Sequence, residues 1–297
     1  MGTTHLRALA DSADVSIVAL AEPVAALREA ATSNFSVTGF ATLEDMLAGA
    51  DLDGALIVSP SDSHVEVIAT VARSGLAILC EKPCGVSAED TRRARASVRE
   101  AGVGLQIAYW RRFVPELQAL RERIGAGEFG DVLSVSCLQW DGEPPSAAFR
   151  ARSGGVFIDM GVHEFDQARW LTGSGIARLS SYASPVITDP QCRDDPDSAQ
   201  VLAQLDDGAT AFISLGRHYA GGDVASVEVF GTRAHHFSVF LDPAEGDRAQ
   251  LEALRRQASA FSRFANGGPC EGASVDDAIA ALEAAASAAS QLTVAKG

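Results

Sequence analysis

Positive charge is scarce in this chain: 24 Lys and Arg stand against 39 Asp and Glu, for a net charge of −15. A surface this acidic repels phosphate backbones and anionic lipid, so neither nucleic acid nor a membrane surface is expected as a partner. Long apolar runs are lacking too. No segment approaches the roughly 20 residues of a membrane span, and no basic stretch leads into an apolar one at the N-terminus. The expectation is therefore a cytoplasmic protein with neither anchor nor signal peptide. Gly2 does not open a myristoylation signal, because Leu6 stands where that signal needs Ser or Thr. Cysteines number five, at 80, 84, 137, 192 and 270, an odd count without a Cys-x-x-Cys pair, and read as reduced thiols. Cys80 and Cys84 bracket Glu81-Lys82-Pro83 but bring no further ligand, so no metal is expected.

What the chain does have is length and apolar content. With 297 residues, 47% of them hydrophobic, it can bury two cores, and two domains are expected, residues 1–109 and 110–297. From residue 15 to 109, short apolar runs ("VSIVALAE", "GALIVSP", "AILCEKP", "GLQIAY") alternate with helical patterns. That alternation predicts an α/β fold, a doubly wound parallel sheet with helices on both faces. Beyond Tyr109 come a helix ("PELQALRERIGAG"), a strand ("DVLSVSCLQWDG") and, after a glycine-rich loop, a second helix ("GVHEFDQARWLTG"). Residues 176–240 read as consecutive strands with a hairpin at Asp206-Asp207-Gly208, hence an open antiparallel sheet. Two more helices close the chain.

The opening residues read as a helix followed by a strand that closes on Glu22. A dinucleotide-binding turn needs three glycines between strand and helix, and an acidic residue about 20 positions onward to hold the ribose hydroxyls. Gly2 can be only the third of these glycines, and Glu22 sits at the acidic position, where it would repel a 2′-phosphate. NAD is the expected cofactor; Arg28, further along the next helix, keeps NADP open. On spacing alone, a solvated Glu22 is the more ordinary reading.

Two further places carry chemistry. Lys82 precedes a proline, which keeps it out of a helix and in extended backbone just past a strand, at the edge of a parallel sheet where ligands bind. In "SGGVFIDMGVHEFDQARWLTG", Asp159 and His163 are four apart and share a face if the helix has begun by Asp159, with Asp166 one turn further on. A helix cap at Asp159 and a packed His163 are the plainer alternatives.

Taken together and in this order, "MG..H...L", "SPSDSH", "ARSGLAILCEKP", "YWRRFVP", "SGGVFIDMGVHEFDQARWLTG" and "VEVFGT" resemble the glucose-fructose oxidoreductase, inositol dehydrogenase and rhizopine catabolism (Gfo/Idh/MocA) family over nearly the whole chain. The resemblance implies a Rossmann domain followed by an α/β domain whose open sheet supports the substrate site and often the oligomer, so a homodimer or homotetramer is expected. It implies hydride transfer between a nicotinamide and a carbinol carbon of a sugar or cyclitol, as in an inositol 2-dehydrogenase. On matching positions, Lys82 holds the substrate hydroxyl and nicotinamide ribose, Asp159 orients the substrate and His163 exchanges the hydroxyl proton. A cis bond before Pro83 is implied as well. The cofactor positions are Gly2, Glu22, Ser59, Pro60, His64, Glu81 and Lys82. Trp110, Arg112, Asp166 and Tyr219 are candidate substrate contacts, with a salt bridge at the domain junction as the alternative for Arg112.

Two departures qualify the match. The first strand and first two fingerprint glycines of the family would precede Met1, so roughly ten residues are expected to be missing, through a late start assignment or a cut chain. Ser226 stands where the inositol dehydrogenases of the family have arginine, and Tyr219 and Asp223 do not restore that pattern, so inositol is one candidate among sugars and polyols. A ligand-sensing regulator of the same fold, or a fragment impaired in cofactor binding, is the competing reading.

Overall fold

A computed structural model describes residues 1–184 and 195–294. Cys192 and the end of the run expected as a strand over 176–186 lie outside the described residues.

The N-terminal half alternates helices and parallel strands: α1 (Gly2–Leu9), β1 (Ala19–Ala21), α2 (Ala25–Asn34), β2 (Thr38–Phe40), α3 (Leu43–Gly49), β3 (Gly54–Ile57), α4 (His64–Arg73), β4 (Ala77–Cys80), α5 (Ala88–Ala101) and β5 (Leu105–Ile107). The helix starts follow from local chemistry. Thr42 accepts the Asp45 N–H ahead of α3, Ser87 accepts the Asp90 N–H ahead of α5, and Gly102, in a left-handed conformation, ends α5. The parallel strands divide into two sheets, β1 with β2, and β3 with β4 and β5. The strand expected over 15–22 shortens to Ala19–Ala21, since among the described residues β1 has a ladder with β2 alone.

The rest of the chain supplies α6 (Pro115–Gly125), β6 (Val132–Trp140), α7 (Ala147–Ser153), α8 (Val162–Thr172), β7 (Ile176–Ala183), β8 (Ser198–Leu205), β9 (Thr210–Gly216), β10 (Val224–Gly231), β11 (His235–Leu241), α9 (Arg248–Ala265), β12 (Ala273–Ser274), α10 (Val275–Ser290) and β13 (Thr293–Val294). The expected hairpin joins β8 to β9, with Ala203 opposite Ala211 and Gly208 at φ 93°. The seven-stranded sheet runs β11-β10-β6-β9-β8-β7-β13 and is mostly antiparallel. It is not a meander: β6 enters between β10 and β9 and pairs parallel with β9.

Inward residues Ala199, Val201, Ala203 and Leu205 of β8 are buried, as are Ala225, Val227 and Val229 of β10. After α9 the chain returns to the first domain, where β12 pairs antiparallel with β5. Ser274 and Asp277 form a reciprocal capping box that starts α10 on the same spot. Among the described residues, no helix is long and apolar enough to cross a membrane.

Candidate active site

The carboxyl edge of β3 and β4 collects the first set of residues. Ser59 and Pro60 follow β3, Glu81 and Lys82 follow β4, and His64 opens α4. The Lys82–Pro83 bond is cis. Two buried histidines hold this loop from behind. His5 Nε2 lies 2.7 Å from Glu81 Oε1, while Glu81 Oε2 accepts the Lys82 N–H at 3.1 Å. His64 places Nδ1 2.8 Å from the Pro83 oxygen and Nε2 2.8 Å from the Ser59 oxygen.

Gly2 opens α1 beside the end of β3, where an added Cβ would come within 3.6 Å of Val58. Among the described residues no side chain caps α1, so its first N–H groups remain available at this edge. Glu22 stands at the carboxyl end of β1. Its Oε1 accepts the Val24 N–H at 2.8 Å, and Arg28 donates to its backbone oxygen at 2.7 Å. An open helix N-terminus for a pyrophosphate and a carboxylate for ribose hydroxyls fit a dinucleotide.

The other lobe brings its residues through one irregular turn. α7 ends on Gly154 and Gly155, both at φ 84°, a left-handed pair that non-glycine residues adopt only with strain. A single π-helical turn, Phe157–Gly161, then carries Asp159 into α8. Lys82 Nζ donates to the Asp159 backbone oxygen at 2.7 Å and lies 3.5 Å from Oδ1. The two side chains retain 18% and 15% exposure.

His163 is buried, its ring edge-on to Tyr109 at 5.8 Å and to Trp110 at 6.5 Å. Its Nδ1 is sealed without a partner among the described residues. Burial first, then the charges of Arg111 and Lys82, push its pKa well below the usual imidazole range. The ring is therefore neutral near pH 7, as a base must be. The structure thus brings Lys82, Asp159 and His163 together from separate lobes.

Arg112 and Asp166 are placed against each other, joined by a fork at 2.6 and 2.9 Å, with Asp277 3.2 Å from the same guanidinium. Both are buried, and with Asp277 they tie residues 110–113 to α8 and α10. Trp110 flanks His163, whereas Tyr219 is 43% exposed on the turn after β9.

Sequence reasoning passed over Asp141, just past β6. Burial raises its pKa, and Asp223 and Asp159 add to the rise while Gln139 and Lys82 oppose it. It therefore lies within electrostatic reach of the Lys82–Asp159 contact. Arg111, also passed over, is buried against Glu164, Gln139 and Gln167 behind His163. The only sequence signal for Asp141 was an acid ending an apolar strand.

Residues 1–109 match a family model described as "Oxidoreductase family, NAD-binding Rossmann fold", and residues 117–236 match "GFO/IDH/MocA C-terminal domain". The chain belongs to the Gfo/Idh/MocA family. It is an oxidoreductase with an NAD-binding Rossmann fold. It is 45% identical to the rhizopine catabolism protein MocA of Rhizobium meliloti over 293 residues, 99% of this chain and 92% of that one. It is 34% identical to the inositol 2-dehydrogenase of Rhizobium meliloti (strain 1021), across 78% of this chain and 71% of the relative. A solved scyllo-inositol dehydrogenase of Lactobacillus casei, with bound NAD(H) and scyllo-inositol, has the same fold at TM-score 0.86 and 23% identity, covering 98% and 93% of the two chains.

Proposed function

We propose that the protein is an NAD-dependent dehydrogenase that oxidises a secondary alcohol of a cyclitol or related sugar, with residues 1–109 holding the cofactor and 110–297 the substrate. The observation that carries this reading is the meeting of Lys82 with Asp159 at 2.7 Å beside a neutral, buried His163. NAD, held by Gly2, Glu22, Ser59, Pro60, His64, Glu81 and Lys82, supplies the hydride acceptor when bound. An alcohol releases hydride readily only as its proton leaves, so a base and a nearby positive charge are both needed. His163 Nε2 takes the hydroxyl proton, the Lys82 ammonium stabilises the developing oxyanion, and Asp159 accepts a hydrogen bond from a neighbouring hydroxyl to set the ring's orientation. The cyclitol relatives support the substrate class, and Ser226 in place of arginine leaves inositol as one candidate among sugars and polyols.

The test is titration with NAD and a panel of cyclitols, amino-substituted cyclitols and sugars, following absorbance of the reduced nicotinamide. Reduction with at least one of them is the expected result. Cofactor binding without reduction across the panel would overturn the enzyme reading in favour of a sensor.

The outer face of the seven-stranded sheet carries Tyr182, Leu202, Phe212, Phe230, Phe237 and Val239, each between 39% and 58% exposed. Six exposed apolar side chains on one sheet face suit an interface. A second copy of the chain is its proposed occupant, giving a homodimer or, through a further contact, a homotetramer. Light scattering on the wild type and on Phe212→Asp tests it: a monomeric wild type would rule it out.

A further inference from the structure

Among the described residues, the side-chain cation that Asp159 faces in its own lobe is Arg217, a residue to which neither the motifs nor the mechanism above gives a part. Arg217 follows the last residue of β9, Gly216, where a Cβ would strike the Trp140 ring at 2.2 Å, and it is 0% exposed. Its backbone N–H donates to the Asp197 oxygen at 2.8 Å and its Nη1 to Asp195 Oδ2 at 2.9 Å. Asp195 is committed elsewhere as well, accepting from Arg150 Nε and from the Val156 N–H, each at 2.8 Å. Nη2 has no hydrogen bond among the described residues and lies 3.6 Å from Asp159 Oδ2.

The Asp159 carboxylate is therefore suspended between two cations of different lobes, with Lys82 at 3.5 Å from one oxygen and Arg217 at 3.6 Å from the other. A buried guanidinium stays charged at any working pH and is not screened as a surface one is. We infer that Arg217 is a positioning residue: by drawing Oδ2 away, it prevents Asp159 from closing on Lys82 as a tight ion pair. The ammonium is thereby left free to meet the substrate oxygen. Arg217 touches neither substrate nor cofactor in this scheme; it acts through Asp159, and the inference rests on the dehydrogenase reading above.

The experiment is a double-mutant cycle on the full chain, comparing Arg217→Met and Arg217→Lys in the wild-type and Asp159→Asn backgrounds, with kcat, KM and NAD affinity measured for each. In the wild-type background, Arg217→Met is expected to lower kcat about 100-fold, the scale of losing one preorganised charged partner. NAD affinity should hold within about threefold, and Arg217→Lys should restore about a tenth of the activity or more. In the Asp159→Asn background the same Met substitution should cost less than about threefold, because its target is gone.

Equal losses in both backgrounds, or a loss of NAD affinity that parallels kcat, would reduce Arg217 to a tether for Asp195 and overturn the inference. If Arg217→Met does not fold, Arg217→Lys carries the cycle, with an expected loss of about tenfold in the wild-type background and about twofold or less in the Asp159→Asn background. A wild type inactive across the whole panel refutes the dehydrogenase reading and the positioning role with it. An active wild type with an additive cycle refutes the positioning role alone.

Discussion

Lys82 and Asp159 are 77 residues apart in the chain, yet the lysine Nζ donates to the aspartate's backbone oxygen at 2.7 Å. One segment of the chain, just past β4, thus delivers the cation, and the turn that leads into α8 delivers the carboxylate. A backbone acceptor cannot be removed by substitution, so this contact also fixes where the ammonium rests before a substrate arrives.

Lys82→Ala should lower kcat by about 100- to 1,000-fold, the range for losing a preorganised group at a developing negative charge. Steady-state rates of nicotinamide reduction report it, and turnover at the wild-type level would remove Lys82 from the mechanism.

His163 gives a pH prediction with a definite sign. Its folded pKa is depressed, so below the unfolded value of about 6.5 the unfolded chain binds a proton that the folded chain refuses. Stability should decline as the pH falls from there, by up to about 1.4 kcal/mol per pH unit from this group. His163→Asn should flatten that slope in urea titrations between pH 7 and pH 5. For activity, the base form persists at lower pH, so kcat/KM should stay level through the ordinary imidazole range rather than fall within it.

The His5–Glu81 contact lies behind Lys82 and is buried on both sides. Among the described residues, His5→Ala leaves the Glu81 carboxylate with only the Lys82 N–H, and it should destabilise the fold by about 1.5–3 kcal/mol, as for a lost hydrogen bond to a charged group. Thermal unfolding measures it, and a parallel loss of kcat should appear because the lysine loop loses its support. No change in either would mean that the contact holds nothing.

Arg112→Met tests the junction. Because it strands Asp166 as a buried carboxylate, the expected loss is about 3–5 kcal/mol in urea unfolding. The surviving folded enzyme should keep its KM for the polyol; a raised KM with unchanged stability would instead put Arg112 in the cleft.

Much of this was legible from local pattern. Lys82 is one of only two lysines, the other being Lys296, and it precedes a proline after a buried strand, so its position at the ligand edge followed from backbone rules alone. Asp159 and His163 were readable from their spacing, although the π-helical turn between them was not, since its extra residue leaves no mark on an apolar stretch. Arg112 was readable as a substrate contact or a salt-bridge partner, and Asp166 as a substrate contact. That the two are buried against each other is visible only in the tertiary structure.

By itself, the sequence determined what depends on near neighbours: which runs become buried strands, where helices are capped, the hairpin at Gly208, and the lysine and histidine proposed to carry the chemistry. Tertiary structure alone decided which strand ends lie side by side. Trp140 and Gly216 are register partners in the parallel pairing of β6 with β9, so the residues that follow them, Asp141 and Arg217, emerge together at the edge that holds Asp159. No periodicity encodes that pairing, because it joins segments some 76 positions apart through a sheet order set by the packing of the whole domain.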